Sequence, residues 1–346
     1  MSKMNGRTKA TPITMRDVAH LAGVSQSTVS RVLSKSLSSV PISKDTADKV
    51  LSAVEQLGYY PNLTASSLRK QRTFMVAVLI ADISNSFYHS ITRGIQDVAD
   101  QYGYDVLIAN SDHLYENEKH FCRAMMRRPV DGIILVPYHL TVEEIDEVIQ
   151  RTGATVTMLG SHINHPLIDT LAGDDDQATY DAVRWLIENK QHTDIAYIRV
   201  PLSYPPGLRR FNAYLAAMRD CGLTIRDEWI QEGDFSIEGG QRTMRALLSS
   251  PHPPQAVVAC NDLMALGALN VALDMKWRVP EDVAIVGFDD IPLASLVRPS
   301  LTTITQLSTD IGTQLAEMLF ERINGVVSGP SRHWTIPLHL IERQST

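Results

Sequence analysis

The chain has 346 residues, 44% of them hydrophobic and 21% charged, with a net charge of −7 and three cysteines. That length exceeds one average domain and allows a small module beside a larger two-lobed core. No apolar run approaches the roughly 20 residues needed to cross a bilayer, and the opening MSKMNGRTKATP has no apolar signal core, so neither a membrane nor an exported protein is expected.

Cys122, Cys221 and Cys260 are far apart and form no CxxC pair, which reads as reduced core thiols in the cytoplasm. The net charge hides an asymmetry. Residues 1–73 carry eleven Lys and Arg against four acids, a balance of +7, which leaves −14 for the other 273. A basic module joined to an acidic one is expected where only the first meets phosphate.

Residues 1–12 read as a mobile tail. Thr14 and Asp17 then have the spacing of a capping box, so a helix opens there. Val18, Leu21 and Ala22 fall on one face of it, and Gly23 provides a tight turn. Ser25 caps a second helix, whose Val29, Val32 and Leu33 can pack on the first while Gln26, Ser27, Ser30 and Arg31 face outward. Two short helices joined by a Gly turn, with amide, hydroxyl and guanidinium groups on the second, suit a DNA-reading helix-turn-helix. An ordinary helical hairpin would satisfy the same pattern. A third helix over Asp45 to Leu57 places Ala47, Val50, Leu51 and Val54 on one stripe and can close a small core.

Asn62 is a good N-cap, but the Leu63 to Lys70 pattern gives only about two helical turns, below the roughly 12 to 15 residues at which an isolated helix becomes marginal. From Phe74 onward, seven runs rich in Val and Ile (FMVAVLIAD, YDVLIANS, DGIILVPY, ATVTMLGS, DIAYIRVP, AVVACND and VAIVGFDD) alternate with amphipathic helices such as Tyr88 to Tyr102, Glu116 to Arg127, Asp175 to Glu188 and Leu263 to Met275. Such alternation implies doubly wound parallel sheets, and seven or more strands suit two of them. Ligands then bind beyond the carboxyl ends of the strands, between the lobes.

DVAHLAGVSQSTVSRVL followed by VPISKDTADKVLSAVEQLGYYPN closely resembles the DNA-binding headpiece of the lactose-repressor and galactose-repressor family. The resemblance continues through RRPVDGIILVP, RRFNAYLAAMRDCGL, EGDFSIEGG, CNDLMALGAL, VPEDVAIVGFDDI and PSLTTITQ to LIERQST at the end. It implies an N-terminal all-α helix-turn-helix headpiece (1–60), a hinge helix or linker (61–73), and an α/β core (74–346) of the type I periplasmic-binding-protein kind. The two lobes of the core are expected at about 74–173 plus 280–305 and 174–279 plus 306–346.

The same resemblance implies a transcriptional regulator, a repressor, that binds a pseudo-palindromic operator in double-stranded DNA as a homodimer. A small-molecule effector in the interlobe cleft, a sugar or sugar derivative, would switch it. The DNA-binding candidates are Thr14, Ser25, Gln26, Ser27, Thr28 and Arg31 in the headpiece and Asn62, Leu68 and Arg69 in the hinge, with Leu68 entering the minor groove as an apolar wedge. The effector candidates are Phe87, Tyr88, Arg210, Phe235, Asn261, Asp262 and Asp289. Aromatic rings stack on a sugar or base face, Asp accepts from hydroxyls and Arg forks onto an oxygen pair. On the residues alone, Asp262 and Asp289 read as helix caps or strand-end hydrogen-bond acceptors.

Several departures from the family pattern stand out, most of them in the core. Ala213 stands where a Gly usually precedes the aromatic, and Gln191-His192 replaces a usual Gly-His. The run Asp174-Asp175-Asp176 leaves open which Asp faces the cleft, and the loop from Ser34 to Ser39 looks a little long. The alternative is a solute-binding sensor of the same core that activates or takes a nucleoside-type effector. An enzyme is not expected, since no G-x-G-x-x-G or P-loop follows a strand and H-E-x-x-H and G-x-S-x-G are absent. His162 and His165 read as a solvated loop rather than a metal pair. No cofactor and no metal are implied.

Overall fold

The computed structural model describes residues 13–33, 42–60 and 72–346. At Thr73 the chain divides into two units, Met1–Thr73 and Phe74–Thr346. In the first, α1 (Met15–Ala22), α2 (Gln26–Leu33) and α3 (Lys44–Leu57) pack on one another. Asp17 reaches back to the start of α1, accepting from the Thr14 backbone N–H at 2.8 Å and from its hydroxyl at 2.7 Å. Gly23 ends the helix at φ 66°, a left-handed conformation that costs glycine nothing in side-chain strain. Ser25 caps α2 by accepting from the Thr28 N–H at 3.1 Å.

Val18, Val29 and Val50 form the fully buried centre of this unit, flanked by Ala19, Ala53 and Tyr59. Two residues expected in the core lie outside it: Leu21 is 49% and Leu51 51% exposed. Helices this short bury a narrow stripe each. The small Ala19 and Ala53 occupy the contact line, and the leucines one helical step away are left at the rim.

The second unit contains two six-stranded sheets. The first is ordered β11-β5-β4-β3-β1-β2 and takes β1 (Met75–Ile80), β2 (Asp105–Asn110), β3 (Gly132–Leu135), β4 (Thr155–Leu159), β5 (Ile168–Gly173) and β11 (His333–Ile336). All its pairings are parallel. The second is ordered β12-β10-β9-β8-β6-β7, from β6 (Ile195–Arg199), β7 (Ile230–Glu232), β8 (Ala256–Ala259), β9 (Ala284–Asp289), β10 (Thr302–Thr305) and β12 (His339–Ile341). Only β12 runs antiparallel to its neighbour. The central strands read as apolar runs because they are buried on both faces, as in β3, β8 and β9.

The helices are α4 (Ser86–Tyr102), α5 (Tyr115–Met125), α6 (Val142–Thr152), α7 (Asp175–Glu188), α8 (Pro205–Asp220), α9 (Ile237–Leu248), α10 (Asp262–Asp274), α11 (Pro292–Leu296) and α12 (Ser308–Ile323). In each sheet the strand order reverses beside the first strand of the lobe, between β1 and β3 and between β6 and β8, which is where this architecture places its ligands.

The lobe boundaries differ from those expected. Residues 280–305 belong to the second lobe, because β9 pairs with β8 and β10 pairs with β9. Most of 306–337 belongs to the first. There α12 packs along α4 and over β3, β4 and β5, and β11 pairs with β5. The packing of α12 on α4 is backbone-close, since a Cβ on Gly312 would stand 2.1 Å from the Ile91 carbonyl oxygen. The chain therefore crosses between lobes three times: from β5 to α7, from β10 to α12 and from β11 to β12.

Two of the family departures are accommodated. Gln191 takes the left-handed φ of 59° in the place of the usual Gly. Ala213 is buried, and the Tyr214 hydroxyl beside it donates to the Ile195 carbonyl at 2.8 Å.

Candidate functional site

The headpiece presents Gln26 and Ser27 exposed on the first turn of α2, with Thr28 and Arg31 half-buried on the same helix and Thr14 exposed before α1. Ser25 hydrogen-bonds both Ser27 and Thr28 through its hydroxyl, at 2.7 and 2.9 Å, which fixes the start of the helix. A helix end carrying amide, hydroxyl and guanidinium groups, set on a valine-filled core, has the dimensions and chemistry of a major-groove reader. Asn62, Leu68 and Arg69 lie outside the described residues, as do the loop 34–39 and the tail 1–12.

In the second unit a narrow cavity of about 60 Å³ opens between the lobes. Phe87 and Tyr88, on the first turn of α4, and Tyr138, just after β3, enter from the first lobe; Asp175, Arg209 and Arg210 enter from the second. Each of these residues follows the carboxyl end of a strand. Asn85 caps α4, its side chain accepting from the Phe87 N–H at 3.0 Å, and so aims both rings inward.

Arg210 is held in place before any ligand arrives. Its guanidinium donates to the Cys260 carbonyl at 2.6 Å and lies over Phe288, 3.5 Å from the ring centroid. Burial opposes its charge, but Asp175 beside it, helped by Asp289, outweighs that and holds the group protonated above its ordinary range. The Nε–H stands 3.4 Å from Asp175 and makes no hydrogen bond. Arg209 donates to the same carboxylate at 2.9 Å and lies 3.7 Å from Asp176. The question left by the Asp174-Asp175-Asp176 run is thereby answered: Asp174 caps α7, Asp175 lines the cavity and Asp176 is exposed.

Of the seven effector candidates, Phe87, Tyr88 and Arg210 line the cavity. Asp289 stands one layer back, accepting at 2.6 Å from Gln306, which does line it. Burial pushes the Asp289 carboxyl up to about 7 against the opposing pull of Arg210. Asn261 is an N-cap: its oxygen accepts from the Met264 N–H at 3.0 Å and its amide donates to the Phe235 carbonyl at 3.1 Å.

Asp262 is fully buried, accepting from Thr303 Oγ1 at 2.5 Å and from the Ile291 N–H at 2.9 Å. Its carboxyl, raised well above the usual range by burial, ties β8 to β10 and α11 rather than facing the cavity. Here the plain reading, a strand-end acceptor, describes the geometry. Phe235 also turns away and packs in an aromatic cluster with His113 and Tyr204.

Residues not singled out from the sequence complete the wall. Tyr138 shares a hydrogen bond of 3.2 Å with Tyr88 through their hydroxyls, and burial raises both phenols. His162, read as a solvated loop residue, lines the cavity, its ring pushed down to about 4 by burial and by Arg209. His165 in the same loop instead meets Asp146 at 3.1 Å. The available signal was position: Tyr138, His162 and Gln306 each follow a strand closely, at the end where such sheets bind.

A helix-turn-helix unit followed by a two-lobed cleft defines a class, the ligand-responsive DNA-binding regulators. Residues 14–62 match the profile described as bacterial regulatory proteins, lacI family, and residues 183–346 match a periplasmic binding protein-like domain. The catabolite control protein A of Priestia megaterium is 36% identical over 90% of this chain and 93% of its own. The ribose operon repressor of Escherichia coli (strain K12) is 35% identical over 96% and 99%. The Lac repressor dimer bound to operator and the anti-inducer ONPF superposes with a TM-score of 0.83 at 26% identity, covering 97% of this chain and 99% of that one. This chain belongs to the lacI family of bacterial regulatory proteins and is a DNA-binding transcriptional regulator.

No helix among the described residues is long and apolar enough to cross a membrane.

Proposed function

We propose that the protein represses transcription by binding a pseudo-palindromic operator as a homodimer, and that a neutral, hydroxyl-rich molecule of sugar or nucleoside type in the interlobe cavity switches it. It acts by binding, not by catalysis. The observation that carries the effector class is the pairing of charge in the cavity wall. Arg209 and Arg210 face a carboxylate they already share, Asp175, with Asp176 close behind.

What remains for a ligand is the Arg210 Nε–H, two phenols, the Gln306 amide and the His162 ring, beside the flat Phe87 and Tyr88 rings. That set suits neutral hydroxyls on a ring, whereas a phosphate or carboxylate would bring a charge without a free partner. The ribose operon repressor and the operator-bound Lac repressor dimer among the relatives agree with this reading.

A thermal-shift screen of neutral sugars, nucleosides and their phosphorylated or acidic counterparts tests it. A true effector at 100 times its dissociation constant should add about 2.7 kcal/mol. Stabilisation by the charged compounds alone would overturn the neutral assignment. On the DNA side, Gln26, Ser27 and Arg31 are assigned to base edges. Arg31→Ala in binding-site selection should relax one position of the recovered logo, worth about 1 to 3 kcal/mol, and an unchanged logo would refute it.

A further inference from the structure

The three crossovers between lobes lie beside β5, β10, β11 and β12, at one edge of each sheet. The opposite edges are β2 in the first sheet and β7 in the second. Any rotation of one lobe against the other about the crossovers therefore moves the ends of β2 and β7 furthest. Four aromatic side chains meet at that free edge, each just beyond the carboxyl end of a strand. His113 follows β2 and Tyr138 follows β3 in the first lobe; Tyr204 follows β6 and Phe235 follows β7 in the second.

The His113 ring stacks at 5.2 Å on Phe235 and at 5.5 Å on Tyr204, with planes within 23° and 22° of parallel. Phe235 and Tyr204 are themselves parallel to within 5°, 6.0 Å apart. Tyr138 stands edge-on to His113 at 4.6 Å and to Tyr204 at 5.3 Å. It is also the cluster's one member in the cavity wall.

We propose that His113, Tyr138, Tyr204 and Phe235 form a latch on the free edge of the cleft, which parts to admit a small molecule to the cavity and closes over it. Three features of the cluster fit a contact that is made and broken rather than a permanent core. It joins residues from both lobes through ring faces and edges only, with no ion pair or side-chain hydrogen bond across it. It is built on strained backbone, since Asp112, His113 and Phe235 hold φ of 52°, 54° and 65°, a region that non-glycine residues occupy when surrounding contacts impose it. The buried His113 Nδ1 has no hydrogen-bond partner, so the ring gives up nothing polar there when it leaves. The loop is braced from its own lobe, by His139 Nε2 on the His113 carbonyl at 2.9 Å and by Asn110 on Asp112 at 2.5 Å, so it can move with that lobe as a unit.

The latch rests on the reading of the cavity as the effector site only for its purpose; its test needs no effector. Spin labels at Gln150→Cys on α6 and Arg219→Cys on α8, both exposed, report the separation of the lobes in the full-length protein. A Cys221→Ser background leaves only the buried Cys122 and Cys260. His113→Ala and Tyr204→Ala, made separately, break the latch from opposite lobes. Each should move the distance distribution toward a second, longer peak, while His113→Phe, which keeps a stacking ring, should retain the parent distribution. If both alanine variants give the parent distribution, or if His113→Phe opens the lobes as far as His113→Ala does, there is no latch. Should one alanine variant fail to fold, the other decides.

Discussion

The two edges of the interlobe cleft are made of different material. Beside the crossovers the contacts are polar, and most are buried. Asp262 holds Thr303 and Ile291, Asp289 holds Gln306, and the Arg343 guanidinium meets Asp290 at 2.6 Å. At the free edge they are aromatic and half-buried, with His113, Tyr204 and Phe235 touching only through their rings. A buried hydrogen bond is costly to leave unmade, so it fixes a geometry; a ring contact loses only modest energy on parting and water can take its place. One edge is made to keep its shape through a lobe rotation and the other to yield during it.

Asp262→Ala breaks the rigid edge and should show a large effect. Two hydrogen bonds vanish at a fully buried carboxyl and the Ile291 N–H is left without a partner, a loss of about 3 to 4 kcal/mol. Asp262→Asn should recover part of it, since the amide oxygen can still accept from Thr303 while its N–H₂ opposes the Ile291 donor. Chemical denaturation of both variants checks this. A loss of effector response in an Asp262→Ala protein of unchanged stability would instead place the residue in the binding site, as the family resemblance implies.

Asp289 offers an effect of comparable size at the same edge, but one that depends on pH. Its carboxyl titrates near 7 in the fold and near 3.9 in the unfolded chain, so between these values the native state keeps a proton that the unfolded state has released. Stability therefore falls as pH rises through that window and levels off above it. Asp289→Asn removes the penalty. The variant should match the parent near pH 4 to within about 0.5 kcal/mol and exceed it by about 4 kcal/mol at pH 8. A constant difference across that range would show that the carboxyl is not the source.

What the sequence disclosed followed from periodicity and from position relative to strands. Valine-rich runs marked the central strands, and the capping spacing at Thr14 and Asp17 marked α1. The short edge strands β7, β11 and β12, of three or four residues, carry too little pattern to stand out, and two of them are needed to place the lobe boundary. Without the pairing of β9 to β8, nothing in the composition of 280–305 assigns it to either lobe.

In the cavity, Phe87, Tyr88 and Arg210 were legible because the motif carries them directly. Asn261 and Asp262 follow β8 in the same way, yet their side chains turn to a helix cap and to a strand end. Spacing locates a side chain near the cleft. Which way it points depends on donors such as Thr303 and Ile291, which lie 41 and 29 residues away in the chain.

The yielding edge predicts the smallest number and the sharpest contrast. In a double-mutant cycle, His113→Ala and Tyr204→Ala remove the two sides of one aromatic contact, so their effects on stability should fall short of additive by about 0.5 to 1 kcal/mol. Pairing Asp262→Ala with His113→Ala joins the rigid edge to the yielding one, with no partner in common, and their effects should add within about 0.5 kcal/mol. The cycle separates two pictures of the core. If the edges behave independently, a ligand that wedges the free edge works against ring contacts alone while the crossovers keep their geometry and transmit the rotation. Strong coupling between Asp262 and His113 would mean that opening the cleft also loosens the crossovers. The lobes would then respond as one softening body, not as two rigid ones joined by a fixed edge.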